Sequence, residues 1–489
     1  MATRVVSPKL LHNLRYFTRP LNSAPPSITA VSPLNLHEPP PPPPTTTTAT
    51  STDSILNLDD VKELFSSLST AKLLRSSANL HAVAMEQTVD VGTWVMNSGL
   101  MDMAVLREIV LGTLKHTLCE HFCAGQSPEE AGRTVLKLRE AGLRGMLDYG
   151  SEHSTDMESC DRNLEVFVRT VESTKSLPPS SVSFVVVKIT AICLPSLLKR
   201  VSDLLRWEYK DNSFSLPWKL RTLPIFSDSS PLYHTPQKPD PLTPQEEQDL
   251  NLAHQRLLKI CQMCQEANVP LMVDAEDTSI QPAIDYFTYS AAITHNKDDN
   301  PIVFGTVQAY LKDAKERLSQ TTKAAERIGV PMGFKLVRGA YMSSERRLAA
   351  TLGVESPIHD GIQETHACYN GCASFMLEKV TNGSSSVVLA THNVESGKLA
   401  AAKAVDLGIG KENQKLQFAQ LYGMAEGLSF GLRNAGFQVS KYLPFAPLDQ
   451  ILPYLLRRAE ENRGLLSAST IDRQLIRKEL KRRLKATIL

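Results

Sequence analysis

The amino-acid sequence predicts an α/β protein built on a (β/α)8 TIM-like barrel, with a helical arm before the barrel and one more helix after it. Three observations carry this prediction. Eight short runs rich in Val, Ile and Leu follow residue 140, helical patterns separate most of them, and the stretch before them is helical. Apolar strands that alternate with helices form parallel sheets covered on both faces, and eight of them fit a closed barrel. The predicted strands are 143–149, 182–192, 269–274, 301–304, 333–337, 387–392, 416–422 and 437–443.

A doubly wound sheet is the main alternative fold. The dinucleotide fingerprint that it might carry is absent, because Gly408-Ile409-Gly410 lacks the third glycine and follows a helix.

Asp59 and Asp60 are placed to open the first helix of the arm. The predicted regions are 1–53, a transit peptide and Pro/Thr-rich linker; 54–140, the helical arm; 141–465, the barrel, with an inserted excursion at 208–243; and 466–489, a basic amphipathic helix.

The first region has the composition of an organelle transit peptide. It contains basic residues such as Arg4 and Arg15, several Ser and Thr, and no acidic residue before Glu38. Acid-poor, Arg- and Ser-bearing amphipathic starts are typical of such peptides, and the basic residues interrupt any secretory core. A disordered tail is the alternative. The proline and threonine runs at 39–48 have nothing to bury and indicate a linker.

Composition excludes several function classes. Lys and Arg number 53 against 52 Asp and Glu, so no whole-protein field attracts nucleic acid, and we expect no nucleic-acid partner. There is no uninterrupted apolar run of about 18 residues, which excludes an ordinary membrane-spanning helix. Eight cysteines in 489 residues are too few for a disulfide scaffold and favour a reducing compartment.

Polar side chains follow the predicted strands, at the end of the barrel where enzymes of this fold carry their chemistry. Asp274 and Glu276 follow an apolar run at alternate positions, so both carboxylates should point to the same side. Lys335 and Arg338 should occupy opposite faces of their strand. A single residue of this kind would mean little, but five such strand ends favour a functional site. The other members are Lys188, Gln308, Thr391, His392 and Asn393.

A further motif lies near the end of the predicted barrel, at residues 453–462. On a helix, Tyr454, Arg457, Arg458 and Glu461 are spaced so that they share one face. Two adjacent guanidinium groups backed by a carboxylate form a preorganised clamp for an anionic ligand. The alternative is a solvated charged face, which the tyrosine and the apolar flanks of the arginines disfavour.

Four segments together resemble the proline dehydrogenase family, and its mitochondrial form in particular. They are Tyr-Leu-Leu-Arg-Arg-Ala-Glu-Glu-Asn at 454–462, Lys-Leu-Val-Arg-Gly-Ala-Tyr at 335–341, Leu-Met-Val-Asp-Ala-Glu at 271–276 and Ala-Thr-His-Asn at 390–393. The resemblance implies a distorted barrel that holds FAD and oxidises L-proline to 1-pyrroline-5-carboxylate. It also implies ubiquinone as electron acceptor and a location at the matrix side of the mitochondrial inner membrane.

The resemblance also implies roles for individual residues. Asp274 matches an active-site aspartate that orients Lys188, and Lys335 takes the place of a flavin-N5 contact that is usually arginine in bacterial members. A lysine keeps the charge there but lacks the bidentate fork. Glu461 would pair with an arginine or reach the cofactor. The implied substrate contacts are Lys188, Leu421, Tyr442, Tyr454, Arg457 and Arg458. The implied cofactor contacts are Ala275, Gln308, Lys335, Arg338, Gly339, Ala340, Thr391 and His392.

Three alternative functions remain open at the level of sequence. A Schiff-base lyase or aldolase could use Lys188 or Lys335, but it does not explain the arginine-rich helix. Hydroxyproline dehydrogenase, of the same family, is disfavoured because the ring of Tyr442 should crowd a ring hydroxyl. A zinc module is prompted by the cysteine pairs 261/264 and 119/123. We expect these cysteines to be small core residues and expect no metal.

The last region predicts a basic amphipathic helix. Apolar residues from Ile471 to Ile488 recur every four or five positions, with basic residues filling much of the remainder. Such a helix suits lying on an anionic membrane surface, which would give peripheral contact with the inner membrane near a lipid-soluble quinone. The alternative, which we favour, is a terminal helix that docks its apolar stripe on the barrel.

Overall fold

Eight parallel strands follow one another around the barrel in chain order and close it. A computed structural model describes residues 55–96, 98, 102–383, 385–462 and 469–488, so the predicted transit peptide and linker lie outside the described residues. The last strand pairs with the first, with Met146 opposite Tyr442. The predicted TIM-like barrel is confirmed. The strands are β1 (Arg144–Tyr149), β2 (Val182–Val187), β3 (Leu271–Val273), β4 (Val303–Gln308), β5 (Met332–Val337), β6 (Ser385–Ala390), β7 (Leu416–Leu421) and β8 (Val439–Phe445).

Apolar side chains fill the inside of the barrel, and the same inward rows continue into charged residues. Because side chains alternate between the two faces of a strand, Lys188 continues the row of Phe184 and Val186, and Asp274 continues that of Met272. The two-residue alternation of side chains along each strand therefore places charged groups at the carboxyl end of a barrel whose interior is otherwise apolar. The inner cluster comprises Met146, Phe184, Val186, Met272, Phe304, Val388 and Ala419.

Helices alternate with the strands, as the sequence predicts. Their first residues carry local helix-start signals. In one of them, the Thr243 hydroxyl accepts from the Glu246 amide and the Glu246 carboxylate accepts from the Thr243 amide, which is a capping box. The α-helices around the strands are α6 (Pro128–Glu140), α7 (Met157–Thr174), α8 (Pro195–Lys210), α9 (Pro244–Glu266), α10 (Gln281–His295), α11 (Ala314–Arg327), α12 (Met342–Leu352), α13 (Ile362–Thr381), α14 (Val394–Asp406), α15 (Glu426–Asn434) and α16 (Leu448–Glu461).

The barrel is distorted at the junction between its last and first strands. Helix α6, which precedes β1, packs against β1, β8 and α7, in the place where the outer helix after β8 would complete a regular ring. Helix α16, which does follow β8, instead packs on two helices of the arm and turns Tyr454, Arg457 and Arg458 toward the carboxyl ends of the strands.

The arm before the barrel is helical, as predicted. Asp60 caps its first helix, and its carboxylate accepts from the amides of Lys62 and Glu63 at 3.1 and 3.0 Å. A π-helical turn, Lys115–Cys119, joins the last two arm helices. The arm helices are α1 (Val61–Leu64), α2 (Thr70–Ala84), α3 (Glu86–Met96), α4 (Ala104–Leu114) and α5 (Glu120–Phe122).

The C-terminal helix, α17 (Thr470–Ile488), docks on the protein. It packs against α1, α2 and α15, with Ile476 and Glu479 fully buried. Arg483 donates to the carbonyls of Phe65 and Leu68 at 2.9 and 2.8 Å. The docking that we favoured from sequence is therefore present, with the arm as its main partner. None of the helices in the described residues is both long enough and apolar enough to cross a membrane.

The remaining differences from the sequence prediction concern strand ends. β2 stops at Val187, and the apolar residues beyond it form a 3₁₀ turn, Ile189–Ala191. β4 continues past the predicted end at 304, because the Thr306 hydroxyl donates to the Val273 carbonyl at 2.7 Å and so is accommodated in the sheet. The predicted excursion lies between α8 and α9 and holds neither strand nor α-helix within 211–243.

Candidate active site

A cavity of about 530 Å³ opens at the carboxyl ends of the strands. Its walls combine side chains from all eight strands and the segments just after them with the inner face of α16. The structure thus brings together residues that are far apart in the chain, as the sequence predicts. Every residue to which the family resemblance assigns a role, and whose side chain is described, lines it: Lys188, Asp274, Ala275, Gln308, Lys335, Arg338, Gly339, Ala340, Thr391, His392, Leu421, Tyr442, Tyr454, Arg457 and Arg458. Glu276 does not line the cavity, and its buried carboxylate accepts a hydrogen bond from the Thr190 hydroxyl. The side chain of Glu461 lies outside the described part of the chain.

Two lysines, an aspartate and a tyrosine form the floor of the cavity. Lys188 Nζ donates to Asp274 Oδ2 at 3.0 Å and to the Tyr442 hydroxyl at 3.1 Å. The Tyr442 hydroxyl donates to the same Asp274 oxygen at 2.7 Å, and Lys335 binds the other oxygen. All four side chains lie on or just after strands of the barrel, namely β2, β3, β5 and β8, so the barrel fixes their positions.

The floor is charged at neutral pH despite its burial. Burial alone raises the pKa of Asp274, but the ammonium groups of Lys335 and Lys188 outweigh it and hold that pKa below its ordinary value. Burial alone lowers the pKa of Lys188, but Asp148, Tyr442 and Asp274 hold it well above its ordinary value. Lys188 is therefore an ammonium group and Asp274 a carboxylate.

Asp148 is a member of this network that our sequence analysis missed. Its carboxylate accepts from Lys188 Nζ at 3.3 Å, and burial raises its pKa. The signal was present, because Asp148 stands two positions after Met146 on the inward row of β1. Its place inside a short strand, between apolar residues, concealed it.

The arginine pair of α16 is divided between two environments. Arg457 forms a bidentate ion pair with Glu152, with nitrogen–oxygen distances of 2.7 and 3.3 Å. Arg458 is 6% exposed, and its guanidinium lies 4.8 Å from the centre of the Tyr454 ring. The carboxylate that faces Arg457 comes from the loop after β1. No sequence motif marks Glu152 as a site residue.

Arg338 lies on the other side of the cavity, held by three hydrogen bonds. It donates to Thr391 Oγ1 at 2.7 Å, Ser396 Oγ at 2.8 Å and His366 Nδ1 at 3.0 Å. The expectation that Lys335 and Arg338 face opposite ways was wrong, because β5 ends at Val337 and its alternation ends there too. The orientation of Arg338 is set by these hydrogen bonds.

Backbone geometry shapes the same wall. Gly339 has φ +138°, and a β-carbon there would lie 2.5 Å from the Tyr310 ring. Glycine is required for this close approach.

The Leu421 amide donates to His392 Nε2 at 3.1 Å, which leaves the imidazole proton on Nδ1. Burial lowers the pKa of His392 to about 3, so the ring is neutral.

The cysteine pairs behave as core residues, as expected. Cys261 and Cys264 are fully buried on α9, and Cys119 and Cys123 are buried at the end of the arm. Among the described residues, no group of His, Cys, Asp and Glu side chains is arranged to hold a metal ion.

Fold and site together define a (β/α)8-barrel protein with a buried, charged cavity at the carboxyl ends of its strands. Residues 131–470 match the family model described as proline dehydrogenase. The chain therefore belongs to the proline dehydrogenase family and is an oxidoreductase that acts on proline.

Two curated relatives and one solved structure illustrate the similarity. The chain is 60% identical to proline dehydrogenase 1, mitochondrial, of Arabidopsis thaliana, over 88% of this chain and 87% of that protein. It is 54% identical to proline dehydrogenase 2, mitochondrial, of the same plant, over 99% and 100%. Proline utilization A of Bdellovibrio bacteriovorus superposes with a TM-score of 0.57 at 22% identity, over 85% of this chain and 40% of that one, a likeness that concerns the fold alone.

Proposed function

We propose that this protein oxidises L-proline to 1-pyrroline-5-carboxylate with FAD and passes the electrons to ubiquinone. One observation carries the proposal: a buried Lys188–Asp274–Lys335 network and the Arg457–Arg458 pair face one cavity. These charges suit a small amino acid held by its carboxylate beside an electron-accepting ring. Membership of the proline dehydrogenase family supports the same reaction.

The substrate carboxylate would be bound by Arg458, Arg457 and Lys188. Arg458 is the more buried arginine of the pair, and Arg457 forms an ion pair with Glu152. Tyr454 and Leu421 supply flat and apolar walls for the carbon ring. The surrounding cations disfavour a positive charge on the ligand amine, so proline should bind with its amine unprotonated, the form that releases a hydride most readily.

The cavity residues fit FAD. Arg338 is held in place by Thr391 and Ser396, and Gly339 lets the Tyr310 ring pack against the backbone of this wall. Lys335 provides a buried cation where negative charge would develop, and Asp274 holds that cation in position. When bound, FAD supplies the redox chemistry by accepting the two electrons that leave proline with the hydride. Gln308, Ala275, Ala340 and His392 would complete the cofactor contacts, and Glu461 is a further candidate.

The structure disfavours the Schiff-base alternative. A lysine must be an unprotonated amine to attack a carbonyl group. The pKa of Lys188 is held well above its ordinary value by Asp148, Tyr442 and Asp274, and Lys335 is bound to Asp274. Neither side chain is therefore a free nucleophile. For hydroxyproline, the Tyr442 ring remains the argument against, because its hydroxyl is fixed by Lys188 and Asp274 and the ring cannot readily move away.

The proposed location is the mitochondrion, at the matrix side of the inner membrane. The transit-like composition of residues 1–53 supports it, as do the names of the Arabidopsis relatives. Ubiquinone partitions into lipid, so delivery of electrons to it would bring the enzyme to a membrane surface. Basic side chains of α17 such as Lys481 and Lys485 are exposed and could contact anionic lipid.

The visible spectrum of the purified protein tests this proposal. We expect flavin absorption that bleaches when L-proline is added without oxygen, and release of FAD when the protein is denatured. Adding D-proline is the control, since it places the ring differently when its carboxylate is held. A protein without flavin, or a flavin that L-proline leaves oxidised, would refute the central claim.

A further inference from the structure

The turn between β7 and α15 brings two residues to the cavity wall. Leu421 ends β7, Met424 follows it, and both line the cavity. Ala425 comes next, with φ +52°, and stands at the N-cap position of α15. Alanine has no side-chain acceptor, so it cannot satisfy the first amides of this helix.

A residue of the C-terminal helix takes over that function. Asp472 Oδ2 accepts from the Glu426 amide and Oδ1 from the Gly427 amide, both at 2.9 Å. The aspartate is 3% exposed and places a carboxylate against the start of the helix, where negative charge is favourable. The N-cap of helix α15 is therefore supplied by a residue of the same chain that lies 46 positions further along.

The close approach of α17 is built into the sequence. A β-carbon at Gly427 would lie 2.5 Å from Leu475 Cδ1 and 3.3 Å from Asp472 Oδ1. A methyl group at this position would require Leu475 to rotate and would crowd the Asp472 carboxylate, so glycine favours the close approach of α17. Ile476, one turn later on α17, is fully buried and fixes the helix in place.

A buried lysine supports the same turn from β8. Lys441 is fully buried, and its Nζ donates to the Met424 carbonyl and to Ser429 Oγ, both at 2.7 Å. It also lies 3.4 Å from Glu426 Oε1. The turn that carries Leu421 and Met424 is thus held between Lys441 on one side and Asp472 on the other.

We propose that Asp472 is a positioning residue for the substrate pocket: by capping α15 it fixes the β7–α15 turn and so the side chains of Leu421 and Met424 against the bound substrate. The proposal rests on the proposed function, because it takes proline as the ligand of this cavity. It gives the C-terminal helix a part in substrate binding without any contact to substrate or cofactor.

The test compares Asp472→Ala with Asp472→Asn. We expect Asp472→Ala to raise the KM for L-proline about tenfold in a soluble-dye assay, with kcat within about twofold and FAD content unchanged. The reason is that partial loss of the apolar contacts of Leu421 and Met424 with the substrate weakens binding by about a factor of ten, or about 1.4 kcal/mol. Asp472→Asn keeps one carbonyl acceptor and should restore most of the parental KM. Thr243→Ala is the matched control, because it removes an ordinary N-cap from α9 on the outer ring. It should lower Tm by about 1–2 °C without changing KM.

Each outcome decides between the two roles. A raised KM in Asp472→Ala, recovered in Asp472→Asn, supports positioning. A lowered Tm with parental KM means that the cap is structural alone and overturns it. If Asp472→Ala does not fold, Asp472→Asn and Gly427→Ala, which crowds the Asp472 carboxylate, give the same comparison. The proposed function is tested separately: it would be contradicted if L-proline did not bleach the flavin absorption of the parent protein.

Discussion

Charge balance at individual residues decides what the cavity can bind. Lys188 and Lys335 share Asp274, and Asp148 offsets Lys188 further. Arg457 is paired with Glu152. The guanidinium of Arg458 is buried and lies over an aromatic ring, which suits it to hold a ligand carboxylate away from water. A desolvated guanidinium gains more from an anionic ligand than an exposed one.

The first prediction concerns Arg458. We expect Arg458→Met to weaken proline binding by about 2–5 kcal/mol, because a desolvated carboxylate loses its charged partner. FAD content should stay near that of the parent protein. Titration of the flavin spectrum with a non-oxidised proline analogue measures the affinity. The same substitution at Arg162, an exposed residue on α7, is the control and should change nothing. Parental affinity in Arg458→Met would show that another group holds the carboxylate.

A second prediction at this scale concerns Glu276, whose pKa burial raises from 4.5 to about 7. The folded protein then binds a proton that the unfolded chain has already released, so stability falls as pH rises from about 4.5 to 7. The contribution of Glu276 to this fall is about 3 kcal/mol. Glu276→Gln removes it and keeps an oxygen for the Thr190 hydroxyl, which lies at 2.7 Å.

Urea unfolding of Glu276→Gln and of the parent protein at pH 5 and pH 8 measures this difference. We expect the variant to gain stability relative to the parent as pH rises across the window. Other buried carboxyls, such as Asp285, whose pKa burial also raises, contribute equally to both proteins and cancel. Glu158→Gln, at an exposed position of α7, is the control. A stability difference that is the same at both pH values would contradict the assignment.

Sequence reasoning succeeded for residues that end a strand and failed for residues whose partners are distant in the chain. Lys188, Asp274 and Lys335 stand out because a charge interrupts an apolar run, and the inward row of a strand has nowhere else to place it. Glu152 lies in an irregular loop, and only the folded barrel reveals that Arg457 is 2.7 Å away. Asp472 is concealed in the same way, since it caps a helix to which it is not adjacent in sequence.

At the scale of elements, one turn carries backbone strain. Ala425 adopts φ +52° and ψ +41°, the left-handed region in which a β-carbon is unfavourable. We expect Ala425→Gly to stabilise the protein by about 0.5–1 kcal/mol, because relief of this strain outweighs the added entropy of the unfolded chain. Chemical denaturation measures the change.

Ala435, at the other end of the same helix, provides the matched control. It has φ −70° and ψ −5°, which any residue adopts without strain. Ala435→Gly should therefore destabilise by a few tenths to 1 kcal/mol. Two substitutions of the same type on one helix would then have opposite signs. Equal destabilisation by both would mean that the Ala425 methyl contributes more through packing than it costs through strain.

Element boundaries show where periodicity stops being informative. The apolar run 182–192 predicts one long strand, but burial alone cannot separate the end of β2 from the 3₁₀ turn that follows, since both are fully buried. β4 was underestimated because Thr306 and Gln308 interrupt its apolar run, although both side chains find hydrogen-bond partners. Strand number and order survived these errors because each strand has its own apolar run.

At the scale of the whole molecule, the sequence predicts the barrel but not the exchange of helices around it. Nothing in the patterns of α6 and α16 says that the helix before β1 takes an outer-ring position while the helix after β8 faces the cavity. Both are amphipathic, and which surface covers each apolar stripe depends on the packing of distant elements. The consequence is functional, because this exchange carries Arg457 and Arg458 to the strand ends.

The docking of α17 determines how its proposed membrane contact must be tested. Deleting the helix would remove Asp472, Ile476 and the bonds from Arg483 to the arm, so we expect a chain that ends at Ser469 to lose stability whatever it does at membranes. Lys481→Gln with Lys485→Gln is the sharper change. Both side chains are exposed, and neither makes a hydrogen bond or ion pair within the described residues.

We expect the double variant to keep the parental Tm and its dye-linked activity, and to sediment several-fold less with anionic vesicles, since each basic residue near such a surface is worth about 1 kcal/mol. Quinone-linked activity with quinone embedded in those vesicles should fall in parallel. Lys312→Gln with Lys398→Gln removes two charges from the barrel and is the control. If the variant sediments like the parent, α17 only packs against the arm and caps α15, and the membrane contact lies on another surface.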